Sequence, residues 1–238
     1  MKKTKTIVIF AAILILVSIS AISFLHAKDG RIKDEKLKRL AEKVNKQSVN
    51  AGDTIKFGRY EQDGDVLNGK EEIEWCILSV EDGKVRCISK EILDGKKFND
   101  EPNTIPDWKT SSLRKWLNGE FFSEAFNNQE KRIMCRKEMQ STEKSVSKNS
   151  ETSDIVWIPE TDYSVLAANE QLCAAATEYA MCQGVMTTGY KIGCWWTQET
   201  DNHKVKIINP NGEKVLASPN DAYWGVGVRP EILIDFNL

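Results

Sequence analysis

The sequence is poor in the residues from which most active sites are assembled. Histidine occurs only at His26 and His203. His26 abuts an apolar run, leaving His203 as the one imidazole open to a Ser-His or Cys-His mechanism, and a surface strand position is its better reading. There is no CxxC pair, which removes a zinc ribbon and a thioredoxin-like redox centre. GxSxG, HExxH, phosphate-loop and dinucleotide patterns are missing as well. A basic domain is also missing. The formal net charge of -2 divides into +7 for residues 1–50 and -9 for residues 51–238. An acidic folded part lacks the clustered positive surface of a nucleic-acid binder, so nucleic acid is not an expected partner. No catalytic residue, metal ligand or cofactor is assigned.

Six cysteines are present: Cys76, Cys87, Cys135, Cys173, Cys182 and Cys194. An even number suits disulfides in an oxidising compartment, but six allow 15 pairings, and small buried apolar side chains are an equally good reading.

The most informative feature is the run Ile7–Leu25, 19 residues without a charge, preceded by Lys2, Lys3 and Lys5. About 17 to 25 apolar residues cross a bilayer, whereas a cleaved signal has an apolar core of roughly 7 to 15. Length therefore favours a retained single span over cleavage, although Ala21 and Ser23 could mark a cleavage site. The short basic leader resembles an export signal and places the C-terminal domain outside the cytoplasm. The basic residues after the run argue for the opposite orientation under the positive-inside rule.

Three segments follow: an anchor or signal at residues 1–27, a charged helical stalk at 28–50, and one globular domain at 51–238. In the stalk, Leu37, Leu40, Ala41 and Val44 recur at helical spacing over Asp34–Asn45. This helix could lie on lipid headgroups, and contact with its own domain is the better reading. Thr54–Arg59 reads as a first strand. Glu74–Val80 and Lys84–Ser89 form a hairpin around Asp82-Gly83, a register that sets Leu78 opposite Cys87 and argues against a direct Cys76–Cys87 bridge. Thr110 or Ser111 caps a helix carrying Leu113, Trp116 and Leu117, which Gly119 can end. Residues 141–153 read as an exposed loop, Asp154–Ile158 as a strand, and Tyr163–Cys182 as a helix stopped by Gly184. Cys194–Trp196, Lys204–Ile208, Glu213–Leu216 around Asn211-Gly212, and Gly225–Asp235 read as strands. Segregated strands and helices indicate α+β.

The order GDTIKFGRYEQ, IEWCILS, SSLRKWLNGEF, TEYA, CWW and GVGVRPEILID over residues 51–238 resembles DUF6273, a bacterial domain family of unknown function. That resemblance implies a C-type-lectin-like fold, shared with formylglycine-generating enzymes, whose ends meet in a sheet. Those enzymes use a late cysteine pair, whereas the last cysteine here is Cys194, so oxidase chemistry is not implied. The family's usual LRSP after the two tryptophans is replaced by Thr197, Gln198, Glu199 and Thr200.

Several motifs can be weighed against this frame. Glu101-Pro102-Asn103 spells the calcium and sugar triplet of mannose-type lectins but stands too early in the chain, and reads better as a polar loop. Asp63, Asp65 and Asn68 approximate a calcium loop, with Gly69 one place late; a solvated turn fits better. Glu199, Asp201, Asp221 and Asp235 could converge for hydrolysis only if the fold brings them together. Arg229 reads as a buried arginine paired with an acid. Trp195 and Trp196 alternate on one strand, which puts one in the core and the other nearer the surface. With Asn220, Asp221, Tyr223 and Trp224 of a Pro-led loop, they are the candidate ligand contacts. The expected function is a non-enzymatic binding or interaction module. It is anchored through residues 7–25 and recognises an envelope or extracellular glycan or protein. The alternatives are a carboxylate enzyme acting on envelope material and a structural subunit of a membrane complex.

Overall fold

The computed structural model describes residues 34–101, 105–139, 152–160, 164–168, 171–201, 203–219 and 225–237. The span expected at residues 7–25 lies outside them, and among the described residues no helix is long and apolar enough to cross a membrane. The chain is α+β, short helices set against sheets that are mostly antiparallel.

Asp34 opens the first helix, α1 (Glu35–Asn45), by accepting from the Lys36 and Leu37 amides. Leu37, Ala41 and Val44 lie one turn apart and are buried in the main core with Ile55 and Phe57. The expected stalk helix is thus built into the domain. Its far end is tied to the C-terminal strand by Asn45 Nδ2, which donates to the Phe236 carbonyl at 3.4 Å.

Three strands follow in a meander, β1 (Thr54–Tyr60), β2 (Glu71–Glu81) and β3 (Lys84–Ser89). Asp82 and Gly83 take φ of 48° and 74°, the left-handed pair that a two-residue hairpin turn requires. The hairpin is as expected, but its register is not. A bulge at Leu78 puts Ile77 opposite Cys87 and Cys76 opposite Ile88, since one extra residue flips the pairing beyond it. Cys87 faces the main core, and Cys76 a second one with Ile92, Leu166 and Trp195.

After β4 (Asp94–Gly95), Ser111 caps α2 (Ser112–Trp116), its hydroxyl accepting from the Arg114 amide at 3.0 Å. The helix does not stop at Gly119. A π-helical turn over Leu117–Phe121 carries it into α3 (Phe122–Ala125). Leu113, Leu117, Phe121 and Ala125 are all buried, so a four-residue apolar stripe outweighs the modest cost of a helical glycine. Asn127 and Glu130 form a reciprocal capping box for α4 (Asn128–Ile133).

Next come β5 (Met134–Cys135), β6 (Lys137–Met139), β7 (Thr152–Asp154) and β8 (Val156–Trp157). Most of the expected 141–153 loop lies outside the described residues, but its end, Thr152–Ser153, belongs to β7. The Ala-rich stretch from Tyr163 to Cys182 is not one helix. It divides into α5 (Ser164–Ala168), β9 (Ala174–Ala175) and α6 (Glu178–Cys182). Ala174 and Ala176 are buried, and β9 pairs with β10 (Ile192–Gly193), so tertiary pairing overrides helix propensity.

The chain ends with β11 (Trp195–Asp201), β12 (Lys204–Ile208), β13 (Lys214–Ala217), β14 (Gly227–Val228) and β15 (Glu231–Asp235). Of the two larger sheets one runs β1-β2-β3-β15-β5 with β8 also on β15, and the other β13-β12-β11-β14-β4, while β6 with β7 and β9 with β10 form two-stranded sheets. The first and last strands therefore share a sheet. The chain passes between these two sheets four times, from β3 to β4, from β4 to β5, from β8 to β11 by way of β9 and β10, and from β14 to β15, and the main core draws side chains from both.

Candidate functional site

Of the candidate ligand contacts, Trp195 and Trp196 do point to opposite faces of β11, but neither faces solvent. They are 0% and 1% exposed, Trp195 in the second core and Trp196 in the main one. The expected surface position for one of them is corrected by the packing, because β11 is covered on both faces. Their indole N–H groups donate to the carbonyls of Leu172 (3.0 Å) and Lys96 (2.8 Å). Trp75, Trp108 and Trp157 are also buried and also satisfied, donating to Phe57 O, Asp154 Oδ2 and Glu231 Oε2. Buried indoles need such acceptors, so these five tryptophans pin the fold. Asn220, Asp221, Tyr223 and Trp224 lie outside the described residues.

The most distinctive sequence motifs have structural duties of the same kind. In SLRKWLN, Arg114 forms a bidentate pair with the fully buried Asp154, with Nε–Oδ1 and Nη2–Oδ1 both 2.8 Å and Nε–Oδ2 3.0 Å. Asp154 also accepts from Trp108 Nε1 and Thr152 Oγ1. Asn118 grips strand β8 through its amide. Its Oδ1 accepts from the Ile155 and Val156 amides, and its Nδ2 donates to the Val156 carbonyl at 2.8 Å.

In VRP, Arg229 is buried as expected, but its hydrogen bonds go to carbonyls and not to an acid. It donates to Ser89 (2.8 Å), Gln171 (2.7 Å) and Lys90 (3.4 Å) and lies over the Trp195 ring. Burial pushes its pKa down to about 10. The nearby Glu231 is taken instead by Arg86 and Trp157.

The ends of the 220–224 loop are fixed. Pro219 O accepts from the Asn99 amide at 3.2 Å, and Gly225 O from the Met186 amide at 3.0 Å. Gly225 has φ of 43°, and a Cβ there would lie 1.9 Å from the Gly184 carbonyl, so only glycine fits. Two residues on, β14 pairs with β4, with Gly227 opposite Gly95 and Val228 opposite Asp94.

The same β4 carries a polar and aromatic group that no local sequence pattern singles out, because its members come from distant segments. Asp94, wholly buried, accepts from Tyr60 Oη at 2.7 Å and from the Gly95 amide, with Lys96 Nζ at 3.4 Å. Lys96 also sits over the Trp116 ring at 5.0 Å, and Tyr179 meets the Tyr60 ring edge-on. Burial pushes the Asp94 carboxyl up, against the pull of Tyr60 and Lys96. Burial, then the Asp94 charge, drives the Tyr60 phenol far above its ordinary value. Tyr60 is thereby a fixed donor and not a base, and Lys96 and Tyr179 give the group its outer, partly exposed rim.

The other chemical candidates do not assemble. Glu199 and Asp201 lie on β11, while Asp235 lies on β15 in the other sheet. Burial raises the Glu199 carboxyl, but Lys214 and Lys206, bonded at 2.7 Å and 3.0 Å, outweigh it and hold it below the usual range. His203 is exposed, with φ of 64°. Pro102 and Asn103 lie outside the described residues. Asp63 accepts from the Asp65 amide and Asn68 Nδ2, as a solvated turn does. Its carboxylate also lies with those of Glu61 and Glu71, ligand atoms within 4.8 Å of one another, the one group of described residues able to hold a metal ion. All six cysteines are free, and burial raises the thiols of Cys76, Cys87, Cys135 and Cys194, which disfavours the reactive thiolate.

Comparison with known proteins gives one match. No curated protein and no solved structure matches the chain. A model of the family described as "Domain of unknown function (DUF6273)" matches residues 82–236. That stretch takes in every crossover between the two larger sheets, the Arg114–Asp154 pair, the two tryptophans and Arg229, and the chain belongs to the DUF6273 family.

Proposed function

We propose that this protein is a non-enzymatic ligand-binding or protein-interaction module. It is held at the membrane through residues 7–25, its domain stands outside the cytoplasm, and the loop 219–225 carries its ligand contacts. The observation behind this reading is the mounting of that loop. Pro219 and Gly225 are both tied to neighbouring backbone, and β14 follows at once, paired with β4 and β11. Between them the sequence places Asn220, Asp221, Tyr223 and Trp224, aromatic and polar side chains of the sort that dominate binding hot spots. The lectin-like resemblance adds that late loops would carry the ligand surface, with a glycan or a protein segment as ligand. The buried carboxylates support a binding role over catalysis, since Asp94, Asp154 and Glu231 are each occupied by donors that hold the fold.

Arrays of glycans and peptides probed with the full-length chain test this. Trp224→Ala and Asp221→Ala should each weaken a hit by about 30-fold, the scale of a 2 kcal/mol hot spot, with thermal stability unchanged. Undiminished binding in both variants would remove the loop from the site. Turnover of an envelope substrate, abolished by a single carboxylate change, would overturn the non-enzymatic reading.

A further inference from the structure

Helix α1 has a second side that the core does not use. Its inward stripe, Leu37, Ala41 and Val44, is buried in the domain and cannot enter a bilayer. Its outer side, Lys36, Arg39, Leu40 and Lys43, forms one wall of a groove of about 490 Å³, closed by Val49 and by Thr54, Ile55 and Lys56 of β1. β1 is an edge strand whose outer edge pairs with no strand among the described residues. Lys36 and Lys56 lie near Glu72. Arg39 and Lys43 are exposed and make no ion pair within 4.0 Å among the described residues, and Glu35, the one acid of the groove lining, is bonded to Lys38. Leu40 and Val49 are half-buried and pack on the core. Exposed cations in excess of acids beside an apolar floor suit an anion that carries an apolar tail.

The position of the groove supplies the occupant. Leu25, the end of the uncharged run, lies ten residues before Glu35, a path of at most about 36 Å in an extended chain. Lys28, Arg31 and Lys33 lie on that path. The rest of the domain carries -9 from residue 51 onward, and an anionic surface would repel it. The groove, lined by Lys36, Arg39, Lys43 and Lys56 against one acid, Glu35, is a face that can approach such a surface. We infer that the groove between α1 and β1 docks anionic phospholipid headgroups of the bilayer that holds the anchor. Phosphate lies on Arg39 and Lys43, and the glycerol region lies against Leu40, Val49 and Ile55. This rests on the proposed membrane attachment. An acidic peptide added to the β1 edge would satisfy the same charges, but tethering makes the headgroups the ligand at high local concentration.

The test reconstitutes the full-length chain in nanodiscs of phosphatidylcholine with and without phosphatidylglycerol, each carrying a trace of headgroup-photoreactive phosphatidylglycerol. The expected result is crosslinks on peptides spanning residues 35–43 and 54–56 that unlabelled phosphatidylglycerol competes away. Arg39→Gln with Lys43→Gln should reduce them about 25-fold, since each basic residue at an anionic surface contributes roughly fivefold. Crosslinks equal in the variant, or confined to residues 7–25, would overturn the inference, as would competition by acidic peptides but not by lipid. Carbonate extraction reads the anchor separately. A chain that extracts as soluble would refute the attachment, and flotation of that same chain with anionic against neutral vesicles would then decide the groove alone.

Discussion

Asp154 is the residue on which several sequence motifs converge. It is fully buried, and Arg114, Trp108 and Thr152 all donate to it. Asp154→Ala strands a guanidinium and a buried indole N–H, and should cost about 3 kcal/mol in urea denaturation, while Asp154→Asn recovers part of that by keeping an acceptor. A loss below about 0.5 kcal/mol, ordinary for an unremarkable surface position, would show the pair to be dispensable. Asp94 makes a different prediction, about pH. Burial raises its carboxyl despite Tyr60 and Lys96. A carboxyl with a higher pKa folded than unfolded favours the fold while protonated. That contribution is complete below the ordinary aspartate value of about 3.9 and is lost as pH rises through the folded value. Asp94→Asn fixes the uncharged form and keeps an acceptor for Tyr60. The stability difference should therefore shift toward the variant as pH is raised from about 3.5 to 7. A shift toward wild type would mean that Lys96 outweighs burial. Neither residue's role was legible in the sequence, since nothing local distinguishes a buried carboxylate from an exposed one when Tyr60, Arg114 and Trp108, the partners that mark its burial, lie 34 to 46 positions away.

At the scale of elements, legibility followed how local the cause was. The Asp82-Gly83 turn, the Ser111 cap and the α1 stripe depend on neighbours within a few residues, and all three read correctly. The Leu78 bulge, the passage of the helix through Gly119 and the division of residues 163–182 depend on what packs against them from elsewhere, and local pattern misjudged all three. Helix α1 shows the same limit in another form. Its amphipathic spacing and its contact with its own domain were legible, but not that the contact buries the stripe fully in the main core. Leu37→Ala should accordingly cost about 2–4 kcal/mol, whereas Lys38→Ala, exposed one residue away, should stay within about 0.5 kcal/mol. Equal, small effects from both would return α1 to a detached stalk.

For the whole molecule, the residues most recognisable in sequence are those that tie strands, helices and loops together: tryptophans bonded to carbonyls and carboxylates, Asn118 on β8, and Arg229 bridging three carbonyls. A family signature made of such groups specifies a scaffold, and function must come from what the scaffold carries, which we propose to be the segment between Pro219 and Gly225. The scaffold also gives a direct test of where the domain stands. Cys173 and Cys182 are exposed, while Cys76 and Cys87 are buried on opposite faces of the first sheet. A membrane-impermeant maleimide applied to intact cells should modify Cys173 and Cys182 without prior reduction if the domain lies outside the cytoplasm. Cys76 and Cys87 should react only after denaturation, because burial both hides the thiols and suppresses their thiolates. Modification of Cys173 and Cys182 only after lysis would place the domain inside. Reaction of all four without denaturant would instead show that the fold is open, so that the two buried thiols act as an internal control on the two exposed ones.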